Sequence, residues 1–192
     1  MSEKSITIGR RERKRLETRQ QILTAAASLF ATRGYENTSI DDIAALADIA
    51  RGTVFYNFDS KESIVFELRV QAWGQFAAAA LDKQQSGLKA IDCISQMILH
   101  CVKWCEDNPE LAKVFFIPKG PLPEALIPSQ LIEAAQHEGS LRADLDPEWL
   151  GHLFTFLILH GQGLSTSGSF GQSGSEPHIN KWTQSLLSGI AP

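Results

Sequence analysis

The groups best suited to grip and read a charged polymer are gathered between Thr38 and Lys61, in TSIDDIAALADIARGTVFYNFDSK. Arg51 and Thr53 lie two residues apart, Tyr56 and Asn57 follow one helical turn later, and Lys61 closes the stretch. A guanidinium forks onto guanine or phosphate oxygens, while hydroxyl and amide groups reach either a base edge or a phosphate. Nothing in the stretch has the spacing of an acid–base pair, a nucleophile with its base, or a metal-ligand set. The chemistry on offer is recognition.

These side chains need two short helices to hold them. Ile40, Ile43, Ala44 and Ala47 recur at the i, i+3, i+4, i+7 spacing of one helix face. Thr38 or Ser39 can cap that helix, with Asp41 or Asp42 completing a capping box. The pattern breaks at Asp48-Ile49-Ala50, and a second helix follows from Arg51 to about Phe58. On it Val54 and Phe58 are placed to face inward, leaving Arg51, Thr53, Tyr56 and Asn57 outward. Two short helices joined by a tight turn form a helix-turn-helix, whose second helix enters the DNA major groove. The competing reading is a plain helical hairpin with solvated Arg and Lys.

The run ARGTVFYNFDSKESI resembles the recognition-helix signature of TetR-family transcriptional regulators, and ILTAAASLFATRGYENTSIDDIA resembles that family's first two helices. The resemblance covers residues 18 to 66; beyond them it is one of length and helix layout. Together with the helix-face reading, it gives a candidate DNA-contact set of Thr38, Ser39, Arg51, Gly52, Thr53, Phe55, Tyr56, Asn57 and Lys61. Within that set the resemblance implies that Thr38, Tyr56 and Lys61 match phosphate-gripping positions and that Thr53 contacts base or phosphate. Three positions depart from the pattern. Phe55 stands where Tyr is frequent and offers an apolar contact, suited to a thymine methyl. Ala50 replaces a Ser or Thr that would cap the second helix. Asp48 replaces a turn Gly, although Asp tolerates the left-handed conformation better than most residues.

The charge is distributed to match. The net charge is −4, yet residues 1–61 carry ten Lys and Arg against eight Asp and Glu. Arg10–Arg19, RRERKRLETR, holds six basic and two acidic side chains. A basic end on an acidic body fits a DNA head joined to a body with another task. The N-terminus shows no apolar signal core, and no apolar run approaches the ~20 residues that span a bilayer. Three cysteines suit a reducing interior. A soluble, cytoplasmic protein is expected.

The rest reads as helices. Residues to about Gly9 form a polar arm, and a first helix runs from about Arg11 to Arg33, ended by Gly34. Asp59 or Ser60 caps a helix that continues to about Lys83 and links head to body. Further helices are expected from Gly87 to Glu106, after Asn108-Pro109, from Ser129 to His137, from Pro147 after the Asp146 cap, and from Pro177 to Ser188. Residues 161–175 are rich in Gly and Ser and read as a loop. The fold class is all-α, with a head at 1–60 and an effector-binding and dimerisation body at 61–192.

Phe76, Met97, His100, Trp104, Phe115, Phe116, Phe156 and His160 are candidates to line an apolar pocket with a few polar groups. Leu150, Leu153, Phe154, Leu157, Trp182 and Leu186 are candidates for a helical homodimer face. Cys93, Met97, Cys101 and Cys105 are spaced by four along one helical stripe. Such a stripe is either core packing or a soft site for sensing oxidants or metals. No cofactor and no bound metal are expected. The sequence lacks G-x-S-x-G, HExxH and a phosphate-binding glycine loop, so it is not read as an enzyme. The expected function is a small-molecule-responsive regulator, most simply a repressor, that binds a palindromic operator as a dimer. The alternatives are an all-α ligand-binding protein or enzyme whose hairpin does not read DNA, and a thiol- or metal-responsive regulator.

Overall fold

The computed structural model describes residues 9–115 and 126–155, and these form helices and connecting turns without a strand. The order is α1 Arg10–Arg33, α2 Ile40–Leu46, α3 Arg51–Asn57, α4 Lys61–Gln85, α5 Ala90–Asp107, α6 Pro109–Phe115 and α7 Ser129–His137. A further helix, α8, takes residues 147–155. The all-α class read from the sequence is the observed one.

Local chemistry sets the boundaries. Gly34, at φ 78°, ends α1 and returns its N–H to the carbonyl of Phe30 at 3.1 Å. Ser39 caps α2 by accepting from the Asp42 N–H at 3.1 Å, while its own N–H donates to the Asp42 carboxylate at 2.9 Å. Asp48 takes the left-handed conformation (φ 53°) that the α2–α3 turn requires. Ala50 leaves α3 without a side-chain cap, as its methyl dictates. Ser60 and Ser63 form the capping box of α4. At α8, Asp146 accepts the Trp149 N–H at 2.8 Å. Asn108, just before α6, donates its amide back to the Trp104 carbonyl at 2.8 Å and so closes α5. The N-terminus of α5 begins at Ala90 rather than Gly87, and Glu138, just beyond α7, accepts the Ala90 N–H at 2.9 Å.

Among the described residues, two apolar clusters organise the fold. The head cluster joins Ile22, Leu23, Ala26, Leu29 and Phe30 of α1 to Ile43 of α2, Val54 of α3, Phe58, and Ile64 and Val65 of α4. It also takes in Val114 and Phe115 of α6. The body cluster packs Trp73 and Ala80 of α4 against Cys93, Ile94, Met97, Cys101 and Cys105 of α5. Leu131, Ile132, Leu150 and Phe154 complete it. Full burial of each Leu, Ile or Phe contributes about 1.5–3 kcal/mol before the entropy of ordering is subtracted.

The long α4 serves both clusters, with Leu68 and Ala72 toward the head and Trp73, Phe76 and Ala77 toward the body. A second link runs through rings. Trp73 meets Phe76 at 5.7 Å, Phe76 meets Trp104 edge-on at 6.5 Å, and Trp104 stacks on Phe115 at 5.0 Å. Phe115, a candidate pocket residue on sequence, is thus buried where the head core receives α6.

The two-sidedness of α8 corrects the expected dimer face. Leu150 and Phe154 are 0% and 1% exposed and lie in the chain's own core, so neither is available to a partner. Leu153 is half-buried. Leu157, Trp182 and Leu186, the pocket candidates Phe116, Phe156 and His160, the loop 161–175 and the expected final helix lie outside the described residues.

Candidate nucleic-acid interface

The site is built on α3. Val54 is fully buried and Phe58 nearly so; four residues apart, they pin one side of the helix to the head core. That fixes what the other side can present. Tyr56 is 80% exposed and Phe55 44%, and Arg51 and Gly52 are exposed on the first turn with Thr53 half-exposed beside them. Two apolar or aromatic residues left in water on a short helix are unpartnered surface of the kind that marks a binding face.

Arg51 is held ready by weak contacts. Its guanidinium pairs with Asp41 at 2.8 Å and lies 5.5 Å from the Phe55 ring centre. Both partners are well exposed, so the ion pair contributes only about 0–1 kcal/mol and exchanges readily for a base or a phosphate. At Gly52, an added Cβ would meet no protein atom within 4 Å. The protein itself makes no use of the missing side chain; the free space lies on the outer face. Ser39 is exposed at the start of α2, and hydrogen bonds to it hold the Asp42 carboxyl below the usual carboxylate range.

Three expected contact residues are spent inside the protein. Thr38 is 2% exposed, and its hydroxyl donates to the Gly34 carbonyl at 2.8 Å. Lys61 donates its ammonium to the carbonyls of Tyr35 and Thr38, both at 2.8 Å, and sits 4.0 Å over the Tyr35 ring. Asn57 is half-buried and donates its amide to the Thr53 carbonyl at 2.8 Å. These three hold the head together. The sequence pattern marks their positions but not whether a polar group there faces out or in.

Arg19 of α1 is a residue that motif reasoning left aside. Its guanidinium donates to the Asn57 backbone carbonyl and, at 2.8 Å, to Glu67 of α4, and it lies 4.1 Å over the Phe58 ring. It therefore fixes the C-terminal end of α3 against α1 and α4. Tyr35 adds a further tie, donating its hydroxyl to Glu62 at 2.8 Å.

The body carries the second candidate site. Phe76 and Trp104 are half-buried and in ring contact, and Met97 is buried beside them in the same cluster. His100 is exposed on the opposite side of α5, which removes it from an interior pocket. The Trp73 indole N–H is buried with no acceptor among the described residues. Such a donor costs about 1–3 kcal/mol unless a water or a ligand oxygen meets it. The cysteine stripe is core: Cys93, Cys101 and Cys105 are free thiols and all are buried. Burial, then a hydrogen bond with Cys105, pushes the Cys101 thiol well up. Among the described residues no three His, Cys, Asp or Glu side chains gather to hold a metal, and no helix is long and apolar enough to cross a membrane.

Known proteins share this arrangement. Residues 22–68 match the model of the bacterial regulatory proteins, tetR family. The chain is similar to the HTH-type transcriptional repressor KstR2 of Rhodococcus jostii (strain RHA1), 48% identical over 50 residues, 26% of this chain and 24% of that protein. It is also similar to the HTH-type transcriptional regulator TcmR of Streptomyces glaucescens, 32% identical over 87 residues, 45% of this chain and 38% of that one. Each match thus spans well under half of the relative's length. Among solved structures, Thermus thermophilus FadR in complex with lauroyl-CoA superposes with a TM-score of 0.74 at 20% identity, covering 88% of this chain and 92% of that one. Bacillus subtilis FadR with stearoyl-CoA gives 0.68 at 20% identity, covering 89% and 98%. The likeness extends beyond the head to the arrangement of the body helices. The helix-turn-helix built as described thus lies within the segment, residues 22–68, that matches the tetR family model of bacterial regulatory proteins.

Proposed function

We propose that this protein is a DNA-binding transcriptional regulator, acting in the cytoplasm and not as an enzyme, that reads a two-fold symmetric operator as a homodimer. In this reading residues 1–60 are the DNA head and 61–192 the effector and dimer body. The carrying observation is the outward face of α3, where Arg51, Gly52, Thr53, Phe55 and Tyr56 are presented while Val54 and Phe58 anchor the helix. Arg51 and Thr53 read base edges from the first turn, Phe55 meets a thymine methyl, and Tyr56 with Ser39 takes phosphates. Gly52 lets the DNA backbone come close.

Repression with release by a small molecule is the form of regulation proposed. The relative from Rhodococcus is a repressor by name, and both FadR structures hold acyl-CoA ligands. In this chain the buried Trp73 N–H supports a ligand carrying a hydrogen-bond acceptor, set among Phe76, Met97 and Trp104. Ligand there bears on α4 and on the Trp104–Phe115 stack, both of which continue into the head. Release follows only to the extent that the ligand prefers the arrangement in which the two recognition helices misfit their half-sites. Trp149, 53% exposed on α8, is the described residue that best suits the dimer face. A thiol-sensing variant is not favoured, because the three thiols are buried and Cys101 is held protonated.

The test is selection of duplexes from a random pool with the purified full chain. A recovered site with two-fold symmetry and half-sites about one helical turn apart supports the reading. A pool that yields no preferred sequence overturns it.

A further inference from the structure

The first half of α1 belongs to neither core. Buried residues on α1 begin at Ile22, and Arg10, Arg11, Arg13, Lys14 and Arg15 before it are all exposed. At 1.5 Å per residue, the helix from Arg10 to Ile22 extends roughly 18 Å, about the length of five base pairs. Two of its cations have carboxylate partners on the same helix: Arg15 with Glu12 at 2.7 Å and Arg13 with Glu17 at 4.0 Å. Among the described residues Arg10, Arg11 and Lys14 have none.

The direction of this overhang is set by its own contacts. Arg19 clamps one face of α1 to the end of α3 through the Asn57 carbonyl and the Phe58 ring. Arg15, one turn earlier on that face, lies within electrostatic reach of Tyr56, the most exposed aromatic of α3. Arg11 continues the same face at the i−4 position relative to Arg15, and Lys14, three residues from Arg11, borders it. A line from Tyr56 through Arg15 to Arg11, bordered by Lys14, therefore leads off the recognition helix. Like charges gathered on a helix repel one another; Arg15 is offset by Glu12, while Arg11 and Lys14 have no carboxylate partner among the described residues.

We propose that this face of α1 is an auxiliary DNA contact, which grips phosphates flanking the half-site read by α3. The proposal rests on the reading of α3 as the recognition helix. Its occupant is duplex DNA because the stripe is basic and continuous with that helix. The contact is to backbone alone: it adds affinity and salt dependence without sequence preference.

The test compares the full chain with an Arg11→Gln/Lys14→Gln/Arg15→Gln variant on two duplexes. One holds only the selected operator; the other adds six base pairs of arbitrary sequence at each end. All three side chains are exposed, so thermal unfolding should match the parent and serves as the control for folding. The native chain should bind the longer duplex more tightly. Its slope of log K against log salt should steepen there by about two to three per protomer, at ~0.9 per phosphate contacted. The variant should lose that difference while keeping the parent's affinity for the short duplex and its ratio of operator to scrambled DNA. Equal affinity and slope of the native chain on both duplexes would overturn the proposal, as would a variant that behaves like the parent on the longer one. If neither length is preferred over scrambled DNA, the reading of α3 fails and this one falls with it, an outcome distinct from the loss of flank contacts alone.

Discussion

The Lys61 ammonium holds Tyr35 twice, donating to its backbone carbonyl at 2.8 Å and lying 4.0 Å over its ring. With the Thr38 carbonyl also accepting at 2.8 Å, the start of α4 is stapled to the loop between α1 and α2. A charged hydrogen bond contributes about 1.5–3 kcal/mol. Lys61→Gln should therefore lower stability by roughly 1–3 kcal/mol in urea unfolding while the salt dependence of DNA binding stays as it was. A phosphate-gripping lysine would behave in the opposite way, leaving stability alone and reducing the salt slope by about one.

Gly52 separates fold from function in the other direction. No protein atom lies within 4 Å of a Cβ placed there, and Ala is preferred over Gly in a helix by up to about 1 kcal/mol. Gly52→Ala should leave the melting temperature unchanged or raise it, and weaken operator binding at least about tenfold. Undiminished binding would mean that DNA does not approach this turn.

Trp149 stands half in water on α8 while Leu150 and Phe154 beside it are sealed in the core. A large exposed aromatic is a typical anchor of a protein interface, where truncation costs about 2 kcal/mol or more. Trp149→Ala should raise the dimer dissociation constant by roughly 30-fold in sedimentation equilibrium, with helix content retained. An unaltered dimer would place the interface elsewhere on the chain.

The thiols should be silent at neutral pH. Because burial holds the folded pKa of Cys101 well above its unfolded value, its contribution to stability is fully present below about pH 8.5. That contribution is lost as pH rises, because only the unfolded chain gains by releasing the proton. Iodoacetamide should label the native protein slowly and the urea-unfolded protein completely. Alkaline destabilisation above about pH 8.5 should be smaller in Cys101→Ala, once its lower starting stability is subtracted. Rapid labelling of the native chain at pH 7 would revive the sensing alternative.

The head was legible because its signals are local. Ser39 with Asp42, the left-handed Asp48, the uncapped Ala50 and the inward Val54 and Phe58 each follow from residue type and spacing, and each is found as expected. The side chains that bond inside the head were not separable by type from those left facing outward. Thr38, Asn57 and Lys61 carry groups that bond equally well to a phosphate or to a carbonyl, and only the approach of Gly34, Thr53 and Tyr35 decides between them. In the body the periodicity located helices but not their partners. On α8 the same apolar stripe suits a dimer face or the chain's own core, and long-range packing assigned Leu150 and Phe154 to the core. Phe115 likewise went to the head because the short α6 packs against α1.

The central claim is that the exposed face of α3 reads DNA. Titration of a fluorescent operator duplex, against scrambled competitor and at several salt concentrations, tests it with the native chain, Thr53→Ala and Tyr56→Ala. Both side chains are at least partly exposed, so folding should survive. The expected result is saturation at two chains per site, with operator affinity reduced roughly 10- to 100-fold in each variant. Loss of Thr53 should also relax sequence preference. Variants that bind operator as tightly and as selectively as the native chain would contradict the assignment of α3 as the recognition helix.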